Sequence, residues 1–201
     1  MRHAALLLPL FLGACEPRAP ESSDVVRQSD VQPTPRLPDR FGGIGRLASA
    51  AEIRAWDIDV SADGVGLPAG SGSYERGVVV YARQCAACHG SNGEGFAPNP
   101  RLVGTEPRDF SFAGDLRLAK TIGNYWPHAT TLFDYINRAM PFAAPGTLPA
   151  DDVYAVVAYL LAENGVIERS AVMNRRTLPE VRMPARDRFV PDNRTGGAVF
   201  K

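Results

Sequence analysis

The chain reads as all-α: one helical domain with an extended N-terminal tether and a C-terminal tail. Three observations predict this. Apolar residues recur at helical spacing in segments around 74–84, 130–139 and 150–163. Start or stop signals stand at the ends of those segments. The stretches between them hold many Gly, Pro and Asn residues, show no sustained periodicity and read as loops.

From the N-terminus, Arg2, an apolar run from Ala4 to Leu12 and the small residues that follow read as a secretory leader over residues 1–14. The run is far shorter than the roughly 20 residues a spanning helix requires. Leu12-Gly13-Ala14-Cys15 resembles a bacterial lipobox, which makes Cys15 the expected lipidation site and the chain a periplasmic protein held to a membrane by lipid alone. Ordinary cleavage nearby, leaving Cys15 as a free thiol, is the competing reading. Residues 15–40 are rich in Pro, Ser and Asp and poor in large apolar groups, so burial cannot offset the entropy of ordering them; they read as a tether. Residues 41–70 regain apolar anchors at Phe41, Ile44, Leu47, Ile53, Trp56, Ile58 and Val60, with a short helix over 48–55. This extension is expected to pack on the helical domain or on a partner.

The domain itself is expected over 71–165. Ser73 is placed to cap a helix over 74–84, with Glu75 in its first turn. Val78, Tyr81 and Ala82 recur at helical spacing within it. Gly77 costs this helix about 1 kcal/mol against alanine, which a close helix crossing would explain. Residues 90–115 read as a loop wrapping a cofactor. A second helix runs from Thr130 or Thr131 to 139, with Leu132, Phe133, Tyr135, Ile136 and Ala139 as its apolar positions and Pro141 as its stop. The last covers 150–163 behind Pro149; Asp151-Asp152 reads as helix-start charge rather than a catalytic pair. Val153, Val156, Val157, Leu160 and Leu161 form its buried stripe, and Asn164-Gly165 suits a left-handed stop.

The chemistry resides in Cys85-Ala86-Ala87-Cys88-His89. Two thiols on one turn, followed by an imidazole, form the attachment signal for one covalent haem c, with His89 beneath the iron. Zinc would need four N or S ligands, and beyond the leader only His89 and His128 are histidines, with no second cysteine pair. A redox dithiol would need a βαβ setting, which the flanks lack. For the opposite iron face the chain offers Met140, Met173, Met183 and His128. Met140 is best placed, because Met140-Pro141 ends a helix and leaves the chain free to turn its sulfur toward iron. His128 would give a bis-histidine site, whereas Met183, in the tail, is expected to make a surface contact. Trp126 and Tyr125 are candidates to line the haem pocket, and Arg117 or Arg138 to meet a haem propionate.

Charge is uneven. Residues 15–165 hold 13 basic and 18 acidic residues, a net of −5, and the basic tail 166–201 holds 8 and 4, a net of +4. Neither part is basic enough for nucleic acid; the asymmetry suits charge-guided docking between proteins and equally a solvated arginine-rich tail.

The haem motif after an amphipathic helix, the Met-Pro turn, Gly77, and Tyr154 and Tyr159 in the last helix resemble a class I cytochrome c. Five further stretches resemble the SoxD group: Ala55-Trp56-Asp57-Ile58-Asp59-Val60, Gly66-Leu67-Pro68-Ala69-Gly70-Ser71-Gly72-Ser73, Ile122-Gly123-Asn124-Tyr125-Trp126-Pro127-His128-Ala129-Thr130-Thr131-Leu132, Asp134-Tyr135-Ile136-Asn137-Arg138-Ala139-Met140-Pro141-Phe142 and the tail around Val181 to Phe189. The resemblance spans roughly residues 41–190. It implies that Cys85 and Cys88 bind haem, that His89 and Met140 are the axial ligands, and that a molybdenum sulfane or sulfite dehydrogenase subunit is the electron donor and another cytochrome the acceptor. A single Cys-x-x-Cys-His departs from group members that carry a second haem domain. The other readings are a lipid-tethered shuttle to a terminal oxidase, and a haem enzyme or gas sensor with an open iron. No hydrolytic constellation stands out, and an electron-transfer subunit without substrate chemistry of its own is expected.

Overall fold

The computed structural model describes residues 45–111 and 117–190. The leader, Cys15, the tether, and Phe41 and Ile44 of the extension lie outside the described residues. Contacts divide the chain into two units, Met1–Ile53 and Arg54–Lys201. In the first, Ser49 starts helix α1 (Ala50–Trp56). Its N–H and hydroxyl donate to the Glu52 carboxylate at 2.8 and 2.9 Å, and its hydroxyl accepts from the Glu52 N–H at 3.2 Å. This reciprocal cap begins the helix after the expected residue 48. No residue of α1 is buried.

The second unit contains helices α2 (Tyr74–Gln84), α3 (Ala86–His89), α4 (Ala129–Ala139) and α5 (Ala150–Glu163). The Ser73 hydroxyl accepts from the Arg76 N–H at 3.4 Å at the start of α2. Gly165 takes φ +65° after α5, the left-handed stop its position suggested. The all-α reading leaves out one small pairing: β1 (Ser71–Gly72) lies antiparallel to β2 (Met173–Asn174). It also leaves out two 3-10 turns in the tail, Leu178–Glu180 and Arg186–Arg188.

Helix α5 is the centre of the core, with every residue from Val153 to Leu161 buried. Helix α2 crosses it at Gly77. A Cβ added there would lie 2.1 Å from the Ala155 carbonyl oxygen and 2.7 Å from the Tyr159 Cβ. The two backbones meet because no side chain separates them, which is the packing return for a glycine inside a helix. The Tyr159 ring then packs on Tyr74 and Tyr81 of α2, with centroids 5.6 and 4.7 Å away. At the start of α5, Asp152 accepts from Arg76 at 2.7 Å and Asp151 from the Ser71 N–H at 2.8 Å. The acidic pair therefore ties α5 to α2 and β1.

Several expectations are corrected. The crossing at Gly77 turns Val80 and Tyr81 inward, so Val78 and Ala82 face outward and are exposed. Met183, expected at the surface, is 1 % exposed and joins Met173, Leu178 and Ala185 as buried tail residues. Of the extension's described anchors only Val60 enters the core; Leu47, Ile53, Trp56 and Ile58 stay exposed, as does Tyr135 on α4.

Gly77→Ala is expected to lower the stability of the protein by about 3 kcal/mol, because the obstacle is backbone rather than a movable side chain. Val79→Ala, on the exposed side of the same helix, should stay within about 0.5 kcal/mol. Thermal denaturation of both variants checks the difference.

Candidate haem site

The four candidate residues stand at helix ends. Cys85 closes α2, its N–H bonding the Tyr81 carbonyl at 2.9 Å, and then opens α3, accepting from Cys88 and His89 N–H groups at 3.1 and 3.0 Å. One short turn thus carries both thiols and the imidazole. Gly90, at φ +82°, ends it, and the buried Tyr81 hydroxyl donates to the Gly90 carbonyl at 2.9 Å. Tyr81 thereby fixes the residue that follows the histidine.

His89 Nδ1 lies 2.9 Å from the Pro100 carbonyl oxygen. A carbonyl can only accept, so Nδ1 carries the proton and Nε2 keeps its lone pair. That is the tautomer a metal-ligating histidine needs, oriented by a backbone partner. The loop supplying Pro100 is itself anchored. Leu102 and Val103 N–H groups bond the Gly93 carbonyl at 2.8 and 3.1 Å. Asn164, at the end of α5, accepts from the Gly104 N–H at 2.9 Å and donates to the Leu102 carbonyl at 3.3 Å. Thr121 donates to the Gly104 carbonyl, and Asn124 accepts from the Thr121 N–H at 2.8 Å.

Burial, and then the neighbouring Cys88, push the Cys85 thiol up to about 11. Redox dithiols work by the opposite shift, toward the thiolate. The pair is thus poorly suited to dithiol exchange. Its spacing, with the Nδ1-protonated imidazole beside it, fits a haem c attachment segment, and that donor set is what the site offers.

Met140 follows α4. It takes φ −126° and ψ 149°, and its N–H still bonds the Ile136 carbonyl at 3.1 Å. The helix therefore ends on Ala139, and Met140 packs half-buried against the core. Met173 and Met183 are enclosed in the core itself. His128 caps the other end of α4, half-buried, with no side-chain bond to the helix. Trp126 donates to the Thr131 hydroxyl at 3.0 Å, and Tyr125 meets Phe189 edge-on at 5.6 Å. Arg138, offered above for a propionate, is held by Asp134, one contact at 2.8 Å. Arg117 is exposed.

Sequence reasoning missed Tyr81's hydroxyl role, Asn164 as a loop anchor, Asn124 and Asp134. Asp134 also accepts the Val60 N–H at 2.8 Å. Burial raises the Asp134 carboxyl, but Arg138 and the Val60 N–H outweigh it, and the net position is below the ordinary carboxylate range. The Val60 N–H bonded by Asp134 and the loop groups bonded by Asn164 lie 60 or more residues away in sequence, and no local spacing announces them.

A family model described as "Cytochrome C oxidase, cbb3-type, subunit III" matches residues 72–160. With the helical fold and the attachment segment, this makes the protein a class I c-type cytochrome, a class whose cofactor is haem c and whose role is electron transfer. The solved structure titled "Crystal Structure of the Sulfane Dehydrogenase SoxCD from Paracoccus pantotrophus" contains a similar chain, 42% identical, with a TM-score of 0.66 over 75% of this chain and 72% of that one. The chain belongs to the SoxD-type cytochromes c. The comparison with curated proteins finds no match.

Because the folded carboxyl of Asp134 titrates below its unfolded value, its contribution is fully present above about pH 4 and is lost as pH falls through the lower folded value. Acid denaturation should show Asp134→Asn less stable than wild type at pH 7, with the gap narrowing as pH falls through the lower folded value. Asp134→Ala, which also strips the Val60 N–H of its acceptor, should cost about 2 kcal/mol at neutral pH.

Proposed function

We propose that the chain is a mono-haem c-type cytochrome that accepts electrons from a molybdenum-containing sulfite or sulfane dehydrogenase and passes them to another cytochrome in periplasmic sulfur oxidation. The similarity to a chain of SoxCD, at 42% identity, carries this reading. In it Cys85 and Cys88 hold the haem by two thioethers, His89 Nε2 is the proximal ligand and the Met140 sulfur the distal one. Haem c supplies a one-electron carrier whose potential a thioether ligand raises. The Pro100 carbonyl keeps the His89 ring in the ligating tautomer. Met173 and Met183 support Met140 by default, since both are spent on core packing. His89 and Met140 fill both axial positions and leave no place for substrate, so the chain moves electrons rather than bonds. The leader and Cys15 carry the rest: export, lipidation and a periplasmic tether.

A second reading has one observation behind it. The matching family model is named for an oxidase subunit, which favours a lipid-tethered shuttle feeding a terminal oxidase. Co-purification decides between them. A molybdenum subunit retained with the chain supports the first; a monomer reduced equally well by unrelated donors supports the second.

Met140→Ala should keep the covalent haem and lose the weak sulfur-to-iron charge-transfer band of the oxidised protein in its optical spectrum. It should also gain carbon monoxide binding in the reduced state. An unchanged band would move the ligand to another sulfur.

A further inference from the structure

Trp56 is 87 % exposed and Ile58 45 % exposed, on a segment that is itself held fast. Val60, two residues on, is buried, and its N–H donates to the Asp134 carboxylate at 2.8 Å. The Asp59 carbonyl lies so close to Gly66, at φ +94°, that a Cβ there would come within 2.2 Å of it. Ser61 N–H bonds the Val65 carbonyl at 3.0 Å and closes the turn beyond. A tryptophan left in solvent on a fixed support loses little freedom when a partner covers it, and tryptophan is prominent among residues that dominate interface energetics.

Acidic residues alternate with the apolar ones. The proximity of the Asp59 carboxylate raises the Asp57 carboxyl. Among the described residues no Lys or Arg forms an ion pair with Asp57, Asp59 or Asp63. Arg138, which also feels the Asp59 charge, is engaged chiefly by Asp134. The complement of this patch is an apolar cleft with a basic rim. Its location suits an electron donor: Asp134, to which the segment is bonded, precedes Met140 by six residues, about 9 Å along the helix axis.

We infer that residues 56–60 form the docking surface for the dehydrogenase subunit, with Trp56 and Ile58 seated in an apolar cleft and Asp57 and Asp59 meeting Lys or Arg on its rim. This rests on the partner assigned under Proposed function. The chain's own arginine-rich tail, on a second copy, is the competing occupant.

The test is the affinity of the full-length haem-loaded chain for the purified molybdenum subunit, with sedimentation of the chain alone. Trp56→Ala is expected to raise Kd by at least 30-fold, and Asp57→Lys with Asp59→Lys to raise it tenfold or more, with a weaker salt dependence than wild type. Both variants should keep the wild-type melting temperature and haem spectrum, and Val172→Ala, exposed in the tail, should bind as wild type does. Tight wild-type binding with both variants within twofold overturns this surface and leaves the partner intact. Failure of the wild type to bind overturns the partner reading and this surface with it. A dimer of the chain alone that Trp56→Ala dissolves assigns the surface to a second copy and overturns the inference.

Discussion

The contact of α2 with α5 at Gly77 is the constraint from which the rest of the second unit follows. With no side chain at that point, the Ala155 carbonyl meets the α2 backbone directly. That distance fixes the rotation of α2, because only Val80 and Tyr81 can then reach the interior. The end of α2 is where Cys85 sits, so the crossing also sets where the attachment turn begins. The same helix α5 ends in Asn164, which pins the loop whose Pro100 carbonyl orients His89. One packed helix thus positions the thiols from one side and the imidazole's partner from the other. A chain that lost this contact would still contain the motif but would not hold its parts in register.

Much of this was legible in the residues. Ser73, Pro141 and Asn164-Gly165 announced helix limits by chemistry local to each end, and the limits of α2 and α5 fall where those signals put them. Gly77 was legible as a crossing because a glycine inside a strong helix needs a packing reason. The attachment turn was legible because its spacing is its chemistry. Other features were not. Val78 looked apolar enough for the core, but the crossing gave the inward face to Val80. Met183 looked like a tail residue, yet the tail returns through β2 to cover the helices. Asp134 gave no sign that it would bind a backbone N–H in a segment 74 residues earlier. Polar partners so distant are set by the fold, and spacing cannot report them.

The acidic groups near the helix ends serve mainly to join elements. The acidic groups at the start of α5 are consumed by Arg76 and the Ser71 N–H, and Asp134 by Arg138 and the Val60 N–H. Such groups hold elements together. Burial raises the Cys85 thiol, which disfavours the thiolate that exchange chemistry needs. In the proposed reading the two thiols attach the porphyrin, and His89 Nε2 and the Met140 sulfur are its iron ligands.

The most direct test of the haem attachment is the mass of the purified chain after acid–acetone extraction and treatment with an alkylating reagent. Haem is expected to stay on the peptide containing Cys85 and Cys88, with neither thiol taking up the reagent. Haem recovered in the extract, with both cysteines alkylated, would contradict it.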